Sequence, residues 1–205
     1  MKIDTVVCGD YQNNCYIVRK DEGPDALVID PGDDVSAILD AVARLGAMPR
    51  AIAITHGHFD HLIGARAIRD RFSCPVWISP ADEGALRDAY VNALPARTRE
   101  AFLPLTADGL LRAGRVTLSG MTFSVIPTPG HTRGGVCLLS EDETALFTGD
   151  TLFERGFGRT DLPGGSWGEL FTSLKTLFAL TGNPMVYPGH GESARLTDIR
   201  KGYYK

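Results

Sequence analysis

The sequence predicts an α/β fold of four layers, two β-sheets face to face with helices outside them (αββα), from three observations. Short apolar runs bounded by turn residues are each followed by stretches of helical periodicity, and this order occurs twice along the chain. All five histidines fall at the end of one of the strand runs or in the turn after it. With 205 residues, 43% hydrophobic and 22% charged, and no composition break, one domain over residues 1–205 is expected.

The first half opens with strands at Ile3 to Val7, Asn14 to Val18 and Ala26 to Ile29, the last stopped by Asp30-Pro31-Gly32. Val35, Ile38, Leu39, Val42 and Leu45 then recur at helical spacing, with Asp33 or Asp34 as cap and Gly46 as stop. A strand from Ala51 to Ile54 delivers the segment THGHFDH. Ala65 to Phe72 reads as a helix, Val76 to Ile78 as a strand, and Pro80 to Tyr90 as a helix opening on proline. From Asn92 to Gly114 the pattern weakens around Pro95, Pro104 and Gly109, which predicts a surface connection, with a lid over a site as the other reading.

Strands at Arg115 to Leu118, Thr122 to Ile126, Val136 to Ser140 and Ala145 to Phe147 begin the second half. Ser166 and Glu169 make a capping-box pattern, followed by one apolar stripe of Trp167, Leu170, Phe171, Leu174, Leu177 and Phe178. Met185 to Tyr187 reads as a last buried strand, and Ala194 to Lys201 as a short helix.

Composition excludes several classes of function. The net charge is −4 and the basic residues are scattered, so binding to a row of phosphates is not expected, and a small-molecule partner fits better. No apolar run approaches a membrane span and no signal core follows Met1-Lys2, so a cytoplasmic location without membrane contact is expected. Cys8, Cys15, Cys74 and Cys137 form no CxxC pair and are expected to be small buried hydrophobes.

The histidines carry the chemistry. His56, His58 and His61 follow the strand AIAIT, His131 follows FSVIPTPG, and His190 follows MVYPG; Asp60 and Asp150 occupy equivalent strand-end places. The i, i+2 spacing of His56 and His58 cannot put both on one helix face, so a turn is expected there, with Gly57 allowing the bend. Imidazole and carboxylate without cysteine suit zinc, iron or manganese. Seven candidate ligands are too many for one tetrahedral ion and sufficient for two.

Thr55 to His61, Thr128-Pro129-Gly130-His131-Thr132, Phe147-Thr148-Gly149-Asp150-Thr151 and Tyr187-Pro188-Gly189-His190 resemble the motifs of the metallo-β-lactamase superfamily, and VIDPGDD resembles its early strand and turn. The resemblance implies a first metal on His56, His58 and His131, a second on Asp60, His61 and His190, and Asp150 bridging them. Phe147 to Phe153 and Gly156 to Gly165 are most similar to the hydroxyacylglutathione hydrolase (glyoxalase II) group in its short bacterial form. The full-length members have a helical C-terminal domain, whereas this chain stops about fifteen residues after His190. Arg159 matches the group's basic position, but Asp161 stands where an aromatic residue would be.

The implied activity is hydrolysis of an acyl thioester such as S-lactoylglutathione by a metal-activated hydroxide that Asp60 orients. Arg159, with Asp161 beside it, would hold a substrate carboxylate or close an internal salt bridge. The nearest rival is a persulfide dioxygenase, whose single iron would take His56, His131 and Asp150. A β-lactamase proper, a nuclease and a module binding metal for stability alone fit the sequence less well.

Overall fold

The computed structural model describes residues 1–95 and 97–203. β1 (Lys2–Cys8), β2 (Asn13–Arg19) and β3 (Asp25–Ile29) form an antiparallel meander. β4 (Met48–Ala53), β5 (Val76–Ile78) and β6 (Gly109–Leu110) join it in parallel, completing a sheet in chain order. Parallel neighbours need crossovers: α1 (Val35–Arg44) supplies the one from β3 to β4, and the single turn α2 (Phe59–Leu62) with α3 (Ala65–Phe72) the one from β4 to β5.

The second sheet contains β7 (Gly114–Leu118), β8 (Met121–Pro127), β9 (Val136–Ser140), β10 (Ala145–Gly149), β11 (Met185–Pro188) and β12 (Ala194–Arg195). Its order is β12-β11-β10-β9-β8-β7, antiparallel except for β10 with β11. Strands β8, β10 and β11 therefore run in one sense and end at one edge. α4 (Trp167–Phe178) and α5 (Leu196–Tyr203) complete the elements.

Alternation along the strands builds the layers. Tyr16, Val18, Leu27 and Ile29 face Phe123, Val125, Leu138 and Phe147 between the sheets. Their neighbours Cys15, Ile17, Ala26 and Val28 point the other way, to Ile38 and Val42 of α1 and Ile68 of α3. On the far side Cys137, Leu139, Leu146 and Val186 meet Leu170, Leu174 and Leu177 of α4. Each fully buried large apolar side chain contributes roughly 1.5–3 kcal/mol relative to exposure, so the sandwich holds its edge rigidly. All four cysteines are free and buried, as expected.

Asp34 caps α1, its Oδ1 accepting from the Ala37 N–H at 3.1 Å, and Ser166 caps α4. Trp167 and Phe171 are the exception to the α4 stripe: both lie half exposed, at 51%. The helix expected over Pro80 to Tyr90 is reduced to a 3₁₀ turn, Glu83–Leu86. Asp82 explains the difference, since its carboxylate turns inward to accept from the Gly57 and Gly134 N–H groups, each at 2.7 Å, and Gly84 weakens any helix that would compete. The weakly patterned segment after Asn92 contributes strand β6 and buries Leu105 and Leu111, so it is docked on the first sheet.

Candidate metal centre

The five histidines and two aspartates converge where the two sheets share an edge. β4 leads into Thr55 to His58, and α2 then carries Asp60 and His61, so the expected turn continues as one helical turn. β8 leads to His131, β10 to Asp150 and β11 to His190. The β11 end is tied to the first sheet: the Asn14 N–H donates to the Gly189 carbonyl at 2.7 Å, and the Tyr16 hydroxyl to the Pro188 carbonyl at 2.6 Å.

Hydrogen bonds on the outer ring nitrogens aim most of the imidazoles. Thr55 Oγ1 donates to Asp30 Oδ2 at 2.7 Å, which leaves it to accept from His56 Nδ1 at 3.1 Å. His61 Nδ1 donates to the same Asp30 oxygen at 3.1 Å, His131 Nδ1 to the Arg159 carbonyl at 2.7 Å and His190 Nδ1 to the Gln12 carbonyl at 3.3 Å. Each of these four rings then turns its Nε2 toward the site. His58 is turned the other way, with Nδ1 2.8 Å from His131 Nε2.

Two donor groups result. His56, His58 and His131 form one, and Asp60, His61 and His190 the other, the ligand atoms of each lying within 4.8 Å of one another. Asp30, His56 and His61 meet the same distance test, but the Asp30 oxygens already accept three hydrogen bonds, from Thr55 twice and from His61. Asp150 lies between the two groups: Oδ2 is 3.4 Å from His131 Nε2, and Oδ1 is 3.4 Å from His61 Nε2. Among the described residues, His56 Nε2, His58 Nε2 and Asp150 Oδ1 are buried without a hydrogen-bond partner. A divalent ion is the species that such lone pairs accommodate, and the donor set fits one.

The electrostatics divide the site in the same way. Burial, then the charges of its neighbouring imidazoles, pushes His56 well below the ordinary histidine value, and burial with His131 takes His58 down to about 4. Burial opposes charge on His61 too, but Asp60, Asp150 and Asp30 outweigh it and lift His61 to about 10. Asp60 is buried as well, yet His61 and His190 hold its carboxyl well below the usual carboxylate range. His56 and His58 are therefore held neutral, whereas the second group draws positive charge.

Two glycines make the crowding possible. A Cβ on Gly189 would lie 2.1 Å from Asp150 Oδ1, and one on Gly158 would lie 2.1 Å from the Asp150 carbonyl oxygen and 2.6 Å from His131 Nδ1.

All seven predicted ligands come together. Arg159 stands at the rim with only its carbonyl on a ligand; its guanidinium forms a forked pair with Asp161, at 2.7 and 2.6 Å, and both side chains are exposed. That pair holds the Asp161 carboxyl down to about 2. The ligand motifs left out Asp30 and Asp82, which position the site. Asp30 ends its strand as Asp150 does, a signal that could have found it, whereas nothing in the spacing marks Asp82.

The model of the Metallo-beta-lactamase superfamily matches residues 8–190. The chain belongs to the metallo-β-lactamase superfamily. This superfamily is one of metallo-hydrolases, and its members are mostly enzymes. Within it the chain is 30% identical over 199 residues to hydroxyacylglutathione hydrolase GloC of Haemophilus influenzae, covering 93% of this chain and 91% of that protein. Among solved metallo-β-lactamase folds, BLEG-1 B3 metallo-beta-lactamase superposes with a TM-score of 0.91 at 34% identity, covering 98% of this chain and 97% of that one. TTHA1623 in a di-iron-bound form gives 0.86 at 34% identity, covering 97% of both chains. ETHE1 from Myxococcus xanthus gives 0.79 at 28% identity, covering 98% of this chain and 82% of its own.

Proposed function

We propose that this chain is a metal-dependent thioester hydrolase of the glyoxalase II kind, acting on a small-molecule acyl thioester such as S-lactoylglutathione with two divalent ions as cofactors. The observation that carries the reading is the shared carboxylate, Asp150, 3.4 Å from a ring nitrogen in each donor group. In this reading His56, His58 and His131 would hold one ion and Asp60, His61 and His190 the other, with Asp150 available to both. Zinc suits the donors best, and iron or manganese would take the same set. When bound, the ions supply a water acidic enough to act as nucleophile at neutral pH and a Lewis acid for a carbonyl oxygen.

The chain's own groups do the positioning. Asp60, kept ionised by His61 and His190, is the carboxylate in place to orient a nucleophilic water. Asp30 and the Arg159 carbonyl fix the ring tautomers. Arg159 and Asp161 contribute by exchanging their ion pair for a substrate carboxylate. The likeness to GloC over nearly its full length supports this assignment.

A net charge of −4 works against phosphate binding, and no nucleic acid or membrane partner enters the reading. Among the described residues no helix is long and apolar enough to cross a membrane. Four unpaired, buried thiols support a reducing, cytoplasmic setting.

The test is to purify the protein without added metal, measure metals per chain and assay the same sample on S-lactoylglutathione, on glutathione persulfide with oxygen uptake, and on a chromogenic β-lactam. About two ions with thioester hydrolysis and no oxygen consumption is the expected result. One iron with oxygen consumption would replace the reading with a persulfide dioxygenase. Turnover of the β-lactam alone would replace it with a lactamase.

A further inference from the structure

A cleft of about 230 Å³ opens beside the first donor group, between Gly57, Val91, Thr132, Arg133 and Gly164. Gly57 separates His56 from His58, and Arg133 lies two residues beyond His131, so the wall of this cleft is built from the same turns that carry those imidazoles. Ala81, Ala85 and Val91 make part of its wall apolar.

Two of the lining residues, Asp82 and Arg133, carry charge, and their situations are opposite. The Asp82 carboxylate is buried and accepts from the Gly57 and Gly134 N–H groups and from Thr132 Oγ1, at 2.6 to 2.7 Å. Its charge is directed inward. Arg133 is exposed and has no hydrogen bond or ion pair among the described residues. By contrast, Arg159 is tied to Asp161 and Arg99 to Asp10 and Asp34.

Arg133 is also well placed for recognition. Both its chain neighbours, Thr132 and Gly134, are held by Asp82, and its stem runs along Gly164, where an added Cβ would already touch its Cγ at 3.4 Å. A guanidinium on an anchored backbone, in a cleft with no free anion of its own, selects a planar carboxylate that accepts two parallel N–H bonds.

We propose that Arg133 is the specificity residue of this cleft and binds a carboxylate on the leaving-group half of the substrate. That half would then be a small carboxylate-bearing thiol, a description that rests on the thioesterase reading, while the anion site itself stands on geometry.

The experiment titrates S-methylglutathione, a thioether diacid that cannot be hydrolysed, and its dimethyl ester, which keeps the ammonium group but has no carboxylate, into wild type, Arg133→Gln and Arg133→Lys by calorimetry. S-lactoylglutathione kinetics run in parallel. The wild type should prefer the diacid roughly 10- to 100-fold, the glutamine variant should lose most of that preference, and the lysine variant should recover part of it. KM for S-lactoylglutathione should rise by a similar factor in Arg133→Gln with kcat within about twofold. Equal wild-type affinity for diacid and diester, or a preference undiminished in Arg133→Gln, would overturn the proposal. Thermal melting checks that the glutamine variant folds, and if it does not, the wild-type preference and the lysine variant decide. An Arg133-dependent preference for the diacid without turnover of the thioester would sink the hydrolase reading and leave the anion site standing.

Discussion

Asp30 and His61 are joined at 3.1 Å across 31 residues of chain, and the same Asp30 oxygen takes the Thr55 hydroxyl that orients His56. One carboxylate therefore sets the proton positions of two imidazoles, one in each donor group. Asp30 has a φ of 52°, in the left-handed region, which aspartate tolerates better than most residues and which the tight turn into Pro31 imposes.

Asp30→Asn places an amide N–H₂ where His61 Nδ1 and the Thr55 hydroxyl now donate. Metal affinity should fall by roughly 10- to 100-fold, measured by competition with a chromogenic chelator. Affinity equal to wild type would show that the ring tautomers are set without Asp30.

Gly189→Ala forces a methyl group into the 2.1 Å position against Asp150 Oδ1. The tie from Asn14 and Tyr16 keeps the β11 end from retreating, so the carboxylate must move instead. The variant should fold and lose about 100-fold or more in kcat/KM, the scale of an angstrom misplacement at a reacting centre. Unchanged metal content with unchanged activity would mean that Asp150 has room to shift.

Stripping the protein with a strong chelator should lower its melting temperature by about 5–10 °C, and adding zinc back should restore it. The size follows from a ligand present at about 100 times its Kd, worth about 2.7 kcal/mol, in a chain of this length. Calorimetric scans with and without chelator check it.

Asp34→Ala removes the N-cap of α1 and should destabilise the protein by about 1 kcal/mol at neutral pH. The Ala37 N–H, with Ser36 and Arg99, holds the Asp34 carboxyl below its ordinary value of 3.8. A carboxylate depressed on folding stabilises above its unfolded pKa and loses that contribution as pH falls through the folded value. The gap between variant and wild type in urea denaturation should therefore be full at pH 7 and shrink below about pH 4. A gap that is constant with pH would mean that the charge plays no part in the cap.

The strands and the ligands were legible because one physical rule serves both. Short apolar runs mark β4, β8, β10 and β11, and a polar residue that ends an apolar run has to leave the sheet at its edge, where His56, His131, Asp150 and His190 meet. What was not legible depends on contacts between distant segments. Gly109 pairs with Trp77 because a glycine alone lets the indole lie on the backbone; an added Cβ would sit 2.4 Å from the ring. Asp82 unmakes a helix that local propensity favours by serving Gly57, Thr132 and Gly134, 25 to 52 residues away. Phe171 belongs to an apolar stripe by spacing, yet its ring stays outside under Lys175.

The two sheets are also the two halves of the chain, one ending at Leu110 and the other beginning at Gly114. Residues His56 to His61 come from the first half, and His131, Asp150 and His190 from the second. Neither fragment holds the full ligand set, and each exposes the apolar face that the other covers. A backbone cut between Arg112 and Ala113 would divide the ligands between two peptides, and only their reassociation would bring all seven back to one place.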